Sequence, residues 1–186
     1  MLYNKKSDIS PSLVLALTLT EAHIERMEAH ASQAYPYEGC GLMVGTFDPV
    51  TEEKTLIEVV LLANAWTDNV ATDFSDLGQQ NGVSMTKARR YWIDPKDLLA
   101  TQRQARENGL SIIGVYHSHP DAVAMPSACD RELAWSTYSY IIVSVRNGTT
   151  VDLQNWQLDS NQQFQPEPMK IVPASAARDR MPLLSS

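Results

Sequence analysis

The first third of the chain combines the apolar runs of strands with the longer apolar period of a helix. Residues 13–18 are almost continuously apolar and predict a strand. Thr20 predicts the cap of a helix over residues 21–33, where apolar positions recur at spacings of three and four. Residues 41–47 and 55–63 predict two strands that pair as a hairpin. The positions of the helix that would face the core are Ile24, Met27 and Ala31.

The middle of the chain is polar and irregular. Residues 64–90 are rich in Asn, Gln and Gly, which predicts a long loop or insertion. A loop of this length in a compact domain tends to be functional or mobile. Asp94 and Pro95 then supply the cap and the first-turn proline of a helix that is predicted to run to Gly109.

A nearly continuous apolar run over residues 112–116 is typical of a strand that is buried on both faces. Pro120 is expected to end this strand, because proline cannot donate to the ladder. His117 and His119 lie between the run and the proline, and they point to the same side because side chains alternate along a strand. The carboxyl end of a strand is also where open α/β sheets bind their ligands.

The last third predicts a helix and two strands. The helix is expected to begin at Ser127 and to include residues 131–135. Residues 140–145 and 151–158 predict the strands, and the Asn-Gly pair between them is a strong hairpin signal.

The order of these elements predicts an α/β fold with a single-domain mixed β-sheet flanked by helices. The domain is expected to span residues 11–158, with residues 64–90 as its long loop. Residues 1–10 are predicted to be a flexible N-terminus, and residues 159–186 an irregular C-terminal tail.

Candidate chemistry is concentrated at His117, His119 and Asp130. Two imidazoles and a carboxylate are the kind of ligands that a catalytic zinc takes when one coordination position stays open. A second interpretation stands beside this one, because Ser127 and Asp130 also have the spacing of a helix capping box. By themselves these two residues favour the cap, whereas next to the histidine pair they favour a metal site. His23 and His30 are expected to be surface residues of the first helix.

Composition excludes several classes of function. The net charge of −7 and a pI near 5.0 argue against a nucleic-acid partner. Cys40 and Cys129 do not make a disulfide framework and are expected to be reduced. No apolar run approaches the roughly 20 residues of a membrane span, and no signal-peptide pattern is recognised, so we expect a cytoplasmic protein. The sequence does not specify an oligomeric state.

The motif His-x-His-Pro, then six residues, then Ser-x-x-Asp resembles that of the JAMM (MPN-plus) metallohydrolases. These enzymes also have an upstream glutamate, which this sequence offers as Glu38 in Tyr-Glu-Gly-Cys-Gly. The resemblance covers residues 13–156 and is strongest to the small bacterial members associated with ubiquitin-like sulfur-carrier proteins. It implies an MPN-type, cytidine-deaminase-like fold.

The resemblance also implies a role for each matched residue. His117, His119 and Asp130 would bind Zn²⁺, with a water in the fourth position. Glu38 would act as the general base, and Ser127 would stabilise the oxyanion. Without the resemblance Glu38 reads as a solvated loop carboxylate, because sequence distance alone does not bring it to the histidines.

The implied reaction is hydrolysis of an amide or isopeptide bond at the C-terminal Gly-Gly of a ubiquitin-like sulfur-carrier protein, which releases an amino acid or amine. One alternative is a catalytically silent scaffold or interaction protein with the same MPN-type fold. Another is a RadC-like protein associated with DNA repair, which the acidic charge balance disfavours. Zinc nucleoside deaminases need a Pro-Cys-x-x-Cys ligand pair, which this sequence lacks.

Overall fold

The computed structural model describes residues 16–67, 70 and 86–174. Its helices are α1 (Glu21–Ala34), α2 (Pro95–Glu107) and α3 (Ala128–Glu132). Its strands are β1 (Leu17–Leu19), β2 (Cys40–Phe47), β3 (Lys54–Leu62), β4 (Ser111–Pro120), β5 (Ser139–Arg146), β6 (Thr149–Leu158), β7 (Phe164–Pro166) and β8 (Met169–Ile171). The predicted flexible N-terminus, most of the predicted long loop and the last residues of the predicted tail lie outside the described residues.

The strands form one mixed sheet within the described part of the chain, in the order β7-β6-β5-β4-β2-β3-β1-β8. β4 is antiparallel to β2 and parallel to β5, so it lies near the middle of the sheet. Only Glu167 and Pro168 separate β7 from β8, although these strands lie at opposite edges. The sheet must therefore curl until its two edges approach each other.

A buried polar cluster lies at the point where the edges approach. The Lys54 ammonium group contacts the Glu167 carboxylate at 3.2 Å and donates to the Ser139 hydroxyl at 3.0 Å. Asn155 Nδ2 donates to the other oxygen of Glu167 at 2.8 Å. A buried ion pair is tolerated only when hydrogen bonds satisfy its remaining polar atoms, and this cluster meets that condition for the Glu167 carboxylate.

The C-terminal strands correct the sequence prediction of an irregular tail. Phe164–Pro166 pairs with β6, and Met169–Ile171 adds to β1 as a parallel strand. Each strand has only three residues, so neither has enough alternating positions to give a sequence signal. Their pairing comes from the curl of the sheet rather than from local preference.

The two longer helices cover the two faces of the sheet. Met27 and Ala31 of α1 are buried, and Ile24 packs against the same cluster, as the apolar spacing predicts. Ala105 of α2 is buried in a second cluster with β2 and β4 residues. The Asp94 side chain accepts from Lys96 N, which confirms the predicted cap of α2. None of the described helices has the length and apolarity needed to cross a membrane.

Helix α3 is shorter than predicted. It ends at Glu132 instead of continuing to Trp135. The backbone N–H of Trp135 donates to the Tyr140 hydroxyl at 2.6 Å, so it is not available to a helical carbonyl. The Asn147–Gly148 turn is as predicted, with positive φ values of 48° and 77° that are typical of a type I′ hairpin.

Candidate metal centre and adjoining groove

The side chains of His117, His119 and Asp130 converge at the carboxyl end of β4. The two histidine Nε2 atoms are 3.1 Å apart. The Asp130 carboxylate, at the start of α3, places Oδ1 at 3.5 Å from His117 Nε2 and Oδ2 at 3.6 Å from His119 Nε2. Among the described residues, these three side chains form a group that can hold a metal ion.

The spacing of these atoms fits a small tetrahedral ion. Ligands at about 2.0–2.1 Å from zinc, at tetrahedral angles, are about 3.3 Å from one another. The observed separations of 3.1, 3.5 and 3.6 Å lie close to that value. Two nitrogens and one oxygen are also the donor set of catalytic zinc sites, which keep a further position for water or substrate.

The hydrogen bonds of His119 specify its tautomer. Its Nδ1 lies 2.9 Å from the carbonyl oxygen of Val123, so Nδ1 must carry the proton and donate. In the neutral ring, Nε2 then directs a lone pair at the cluster. A histidine held in this way through its second nitrogen is typical of metal ligands.

His117 is held by packing instead. Its ring is fully buried and stacks on Tyr91, with centroids 4.6 Å apart and an interplanar angle of 25°. Its Nδ1 is buried and has no hydrogen-bond partner within the described ranges. Tyr91 follows the 64–90 segment in sequence, and nothing in the hydrophobic pattern identifies it as a contact of the site.

The charges within the cluster shift each pKa in a definite direction. Burial lowers the pKa of His117, and the neighbouring Asp130 opposes this only in part. Burial also lowers the pKa of His119, but its hydrogen bond to Asp130 and the charge of Asp130 outweigh burial and raise it. Burial would raise the pKa of Asp130, yet His117 and His119 hold it well below its usual range. The carboxylate is therefore ionised and available as a ligand.

Three consecutive carbonyl groups after β4 are held by side chains from three strands. The Ser144 hydroxyl donates to Ala122 O at 2.6 Å, and the Trp156 indole donates to Ala124 O at 3.1 Å. Between them, Val123 O accepts from His119. Ser144 and Trp156 therefore fix the backbone that orients His119. Neither residue is recognisable as part of the site from the sequence, because both contacts join distant parts of the chain.

Replacement of Trp156 by phenylalanine is expected to weaken zinc binding by about 10-fold, at the lower end of the effect of residues behind metal ligands. The aromatic ring is kept, but Ala124 O loses its donor and the adjoining Val123 carbonyl is less well fixed. Competition with a chromophoric chelator measures the change in Kd. An unchanged Kd in the folded variant would show that Trp156 does not support His119.

Asp130 and Ser127 form the capping box that their spacing predicts, and their positions are also compatible with a metal site. Asp130 Oδ2 accepts from Ser127 N at 2.6 Å, and Ser127 Oγ accepts from Asp130 N at 3.2 Å, which is a complete capping box. The same carboxylate lies beside both histidines. The Ser127 O–H group has no acceptor in the described part of the chain, so it can donate a hydrogen bond to a ligand.

Strand pairing brings Glu38 to the cluster. Cys40 pairs with His117 in the register of β2 and β4, and Glu38 lies two residues before Cys40. Next to Glu38, Gly39 N donates to Ser118 Oγ at 2.8 Å and Gly39 O accepts from Ser118 N at 2.9 Å. Ser118 lies between the two histidines, so the Glu38 loop is attached directly to the strand that carries them.

Glu38 is not a solvated loop carboxylate, because only 5% of its surface is exposed. Burial raises the pKa of Glu38 to about 8, and the charge of Asp130 adds to this while His119 and Arg90 oppose it. A carboxyl group with a pKa near neutrality is suited to accept and release a proton during turnover. A divalent cation in the cluster would lower this pKa by charge attraction.

An apolar groove of about 360 Å³ adjoins the cluster. Tyr91 belongs to both, because it stacks on His117 and lines the groove. Leu133 and Trp135, with exposures of 43% and 54%, lie in the segment that follows α3 and form part of the lining. The groove offers a surface for an apolar chain segment next to the candidate metal centre.

The remaining histidines and cysteines have other surroundings. His23 Nδ1 accepts from Thr20 N at 3.2 Å and completes the cap of α1, and His30 Nδ1 is 2.8 Å from the Tyr116 hydroxyl. Both rings are half-buried, which corrects the expectation that they are plain surface residues. Cys40 is buried and Cys129 half-buried, and both are free, as predicted.

Comparison with known proteins gives consistent matches. Residues 20–159 match the family described as prokaryotic homologs of the JAB domain. The chain is 28% identical over 136 residues to a Haloferax volcanii protein named Desampylase, which covers 73% of this chain and 82% of that protein. It is 28% identical over 122 residues to a Thermus thermophilus protein named Probable TtuB-protein conjugate cleaving protease, with coverages of 65% and 66%. A solution structure of a Desulfitobacterium hafniense protein is similar with a TM-score of 0.64 at 27% identity, and covers 87% of this chain and 97% of that one.

Proposed function

Because this chain belongs to the family of prokaryotic homologs of the JAB domain, we propose that it is a zinc-dependent hydrolase. Its substrate is an amide or isopeptide bond at the C-terminal carboxyl group of a ubiquitin-like sulfur-carrier protein. The observation that carries the proposal is the convergence of His117, His119 and Asp130 beside the buried carboxyl group of Glu38. The name of the Thermus relative, which refers to cleavage of protein conjugates, supports the class of substrate.

His117, His119 and Asp130 would hold the zinc through Nε2, Nε2 and a carboxylate oxygen. When bound there, zinc supplies Lewis acidity, lowering the pKa of a coordinated water to about 7 and polarising a carbonyl group. Val123 O keeps the His119 proton on Nδ1, and the stacking of Tyr91 keeps the His117 ring in place. These contacts preserve the orientation of both imidazoles through the reaction.

Glu38 transfers the proton. It is the buried carboxylate that interacts with His119 and Asp130 without belonging to the ligand set. It accepts a proton from the attacking water and delivers it to the amine nitrogen when the C–N bond breaks, so it is ionised again at the end of the reaction. The Ser127 hydroxyl, whose oxygen already accepts from Asp130 N, donates a hydrogen bond to the carbonyl oxygen that becomes negatively charged.

The groove beside Tyr91 is suited to the carrier's C-terminal tail. A tail that reaches a buried cluster must be extended, and apolar side chains upstream of the scissile bond would be buried in this groove. The net charge of −7 does not favour nucleic acid as the partner. We propose that the partner is the carrier itself, and that the enzyme acts in the cytoplasm.

A conjugate panel tests this function. The zinc-loaded protein is incubated with a ubiquitin-like carrier whose C-terminal Gly-Gly is linked to cysteine, to a lysine side chain, or to a small amine. Mass spectrometry is expected to show intact carrier acid from one or more conjugates. If the zinc-loaded protein cleaves none of them, the hydrolase proposal fails and the MPN-type scaffold becomes the better interpretation.

Replacement of Trp135 by alanine is expected to raise KM for the cleaved conjugate about 10-fold, as expected when an exposed aromatic residue is a binding hot spot. The value of kcat is expected to stay within about 2-fold, because the ring lies in the groove, whose lining includes none of the candidate ligands. Steady-state kinetics with the full carrier measure both parameters. Val151→Ala is the matched control, because Val151 is also 54% exposed but lies on β6 outside the groove. Equal KM values for the two variants would show that the groove is not part of the substrate-binding site.

A further inference from the structure

We infer that Asn64, which follows β3, is a positioning residue for Glu38. This inference rests on the proposed function, in which Glu38 transfers the proton. Asn64 Nδ2 donates to Glu38 O and to Arg90 O, both at 2.9 Å. Its Oδ1 accepts from Trp66 N at 3.0 Å and from Trp92 N at 3.2 Å. One side-chain amide thus uses all four of its hydrogen-bonding positions on backbone groups.

These contacts specify the orientation of the amide. A flipped side chain would bring Oδ1 against two carbonyl oxygens and Nδ2 against two N–H groups, which is unfavourable on both sides. Asn64 therefore has one arrangement that satisfies its surroundings. A half-buried amide whose donors and acceptors are all hydrogen-bonded acts as a rigid connection between the segments that it joins.

The connection reaches the catalytic carboxylate by a short path. The backbone of Glu38 is held on one side by Asn64 and also donates from N to Lys87 O at 2.9 Å. On the other side, Gly39 is attached to Ser118 of β4. Ser118 fixes the Glu38 loop relative to the histidines. Asn64 fixes the same loop relative to the segment that carries Tyr91. Removal of Asn64 leaves Glu38 attached to β4 through Gly39 and to Lys87 O through its own N–H, but its carbonyl group loses the donor that fixes it.

Two variants separate the contributions of Asn64. Asn64→Ala removes all four hydrogen bonds, whereas Asn64→Asp keeps the acceptors for Trp66 N and Trp92 N but loses the donors to Glu38 O and Arg90 O. Each variant is expected to lower kcat about 10- to 100-fold, since small misplacements of a catalytic group have effects of this size. KM and zinc content are expected to stay at wild-type values. Asn155→Ala is the matched control: the Asn155 side chain also donates hydrogen bonds within the fold, but its contacts are in the Lys54–Glu167 cluster.

A double-mutant cycle and amide exchange decide the inference. In the Glu38→Gln background, either Asn64 variant is expected to reduce the residual rate by less than about 3-fold, because residues that act as one unit are not additive. Hydrogen exchange of the Glu38 amide is expected to accelerate in the Asn64 variants and not in Asn155→Ala. The inference would be overturned by an Asn64 variant that slows the Glu38→Gln protein as much as it slows the wild-type protein. Loss of zinc, or unchanged hydrogen exchange at Glu38, would overturn it as well.

If wild-type protein cleaves no conjugate, the proposed function fails, and the exchange measurement still decides the role of Asn64. Should Asn64→Ala not fold, Asn64→Asp supplies the same comparison.

Discussion

Replacement of Glu38 by glutamine is expected to slow conjugate hydrolysis by about 10²–10⁴-fold, the usual contribution of a positioned general base. Glutamine keeps the size of the side chain but cannot take the proton from water or return it to the amine. Zinc content is expected to remain stoichiometric, because Glu38 is not among the three grouped ligands. The measurement is the single-turnover rate of carrier release, with metal content determined on the same sample. Glu58→Gln on β3 is the control, since that carboxylate is exposed.

The same substitution has an expected effect on stability that is independent of any substrate. Burial raises the pKa of Glu38 from 4.5 to about 8, so the folded state binds the proton more tightly than the unfolded state. The metal-free wild-type protein should therefore lose stability as the pH rises from about 4.5 to about 8. Glu38→Gln does not titrate, so its melting temperature should exceed that of the wild type by a margin that grows across this range. A constant margin from acidic to mildly basic pH would mean that Glu38 is not buried as described.

Replacement of Asp130 by asparagine is expected to abolish stoichiometric zinc binding and to reduce hydrolysis to the background rate. Asparagine retains an oxygen that can accept from Ser127 N, so the cap of α3 is kept while the anionic ligand is lost. The metal-free variant is therefore expected to fold, but to melt below the metal-free wild-type protein at neutral pH, because the attraction between the Asp130 carboxylate and the two histidines is lost. Metal analysis, thermal unfolding and hydrolysis assays on the same preparations test these three statements.

Ser127→Ala gives the complementary result. It removes a cap contact worth about 1 kcal/mol and should lower the melting temperature, yet it should retain zinc. Its rate should fall by about 10²–10³-fold, as for the loss of an oxyanion donor.

Retention of tightly bound zinc by Asp130→Asn would contradict the assignment of Asp130 as a ligand. Asp130 would then have only a structural role, as part of the cap of α3.

Much of the fold follows from local sequence patterns. The apolar run of β4, the β2–β3 hairpin and the Asn147–Gly148 turn are strong local signals, and the structure contains all three. The histidines of the cluster could be predicted for the same reason, because their shared face depends only on the alternation of one strand. The sequence predicts a longer helix α3 than the structure contains, because the contact between Trp135 and Tyr140 that ends the helix is tertiary.

The rest of the site depends on contacts between distant segments. The position of Glu38 follows from the pairing of Cys40 with His117, which spacing along the chain does not encode. In the sequence, Asn64 belongs to the predicted loop over residues 64–90, and Trp156 belongs to the predicted strand over residues 151–158. Their hydrogen bonds to Glu38 O and Ala124 O exist only when the sheet is assembled. The positions of strands β7 and β8 also depend on contacts between distant segments, because the two strands are placed where the curled sheet closes.

Anomalous diffraction at the zinc absorption edge, from crystals of protein purified without chelators, tests the central claim most directly. We expect one strong peak per chain, at about 2.0–2.2 Å from His117 Nε2, His119 Nε2 and an Asp130 carboxylate oxygen. Crystals of Asp130→Asn should lack that peak. A wild-type peak at other residues would contradict the assignment of the zinc site to His117, His119 and Asp130. The absence of a peak at this cluster after zinc is supplied would contradict it as well.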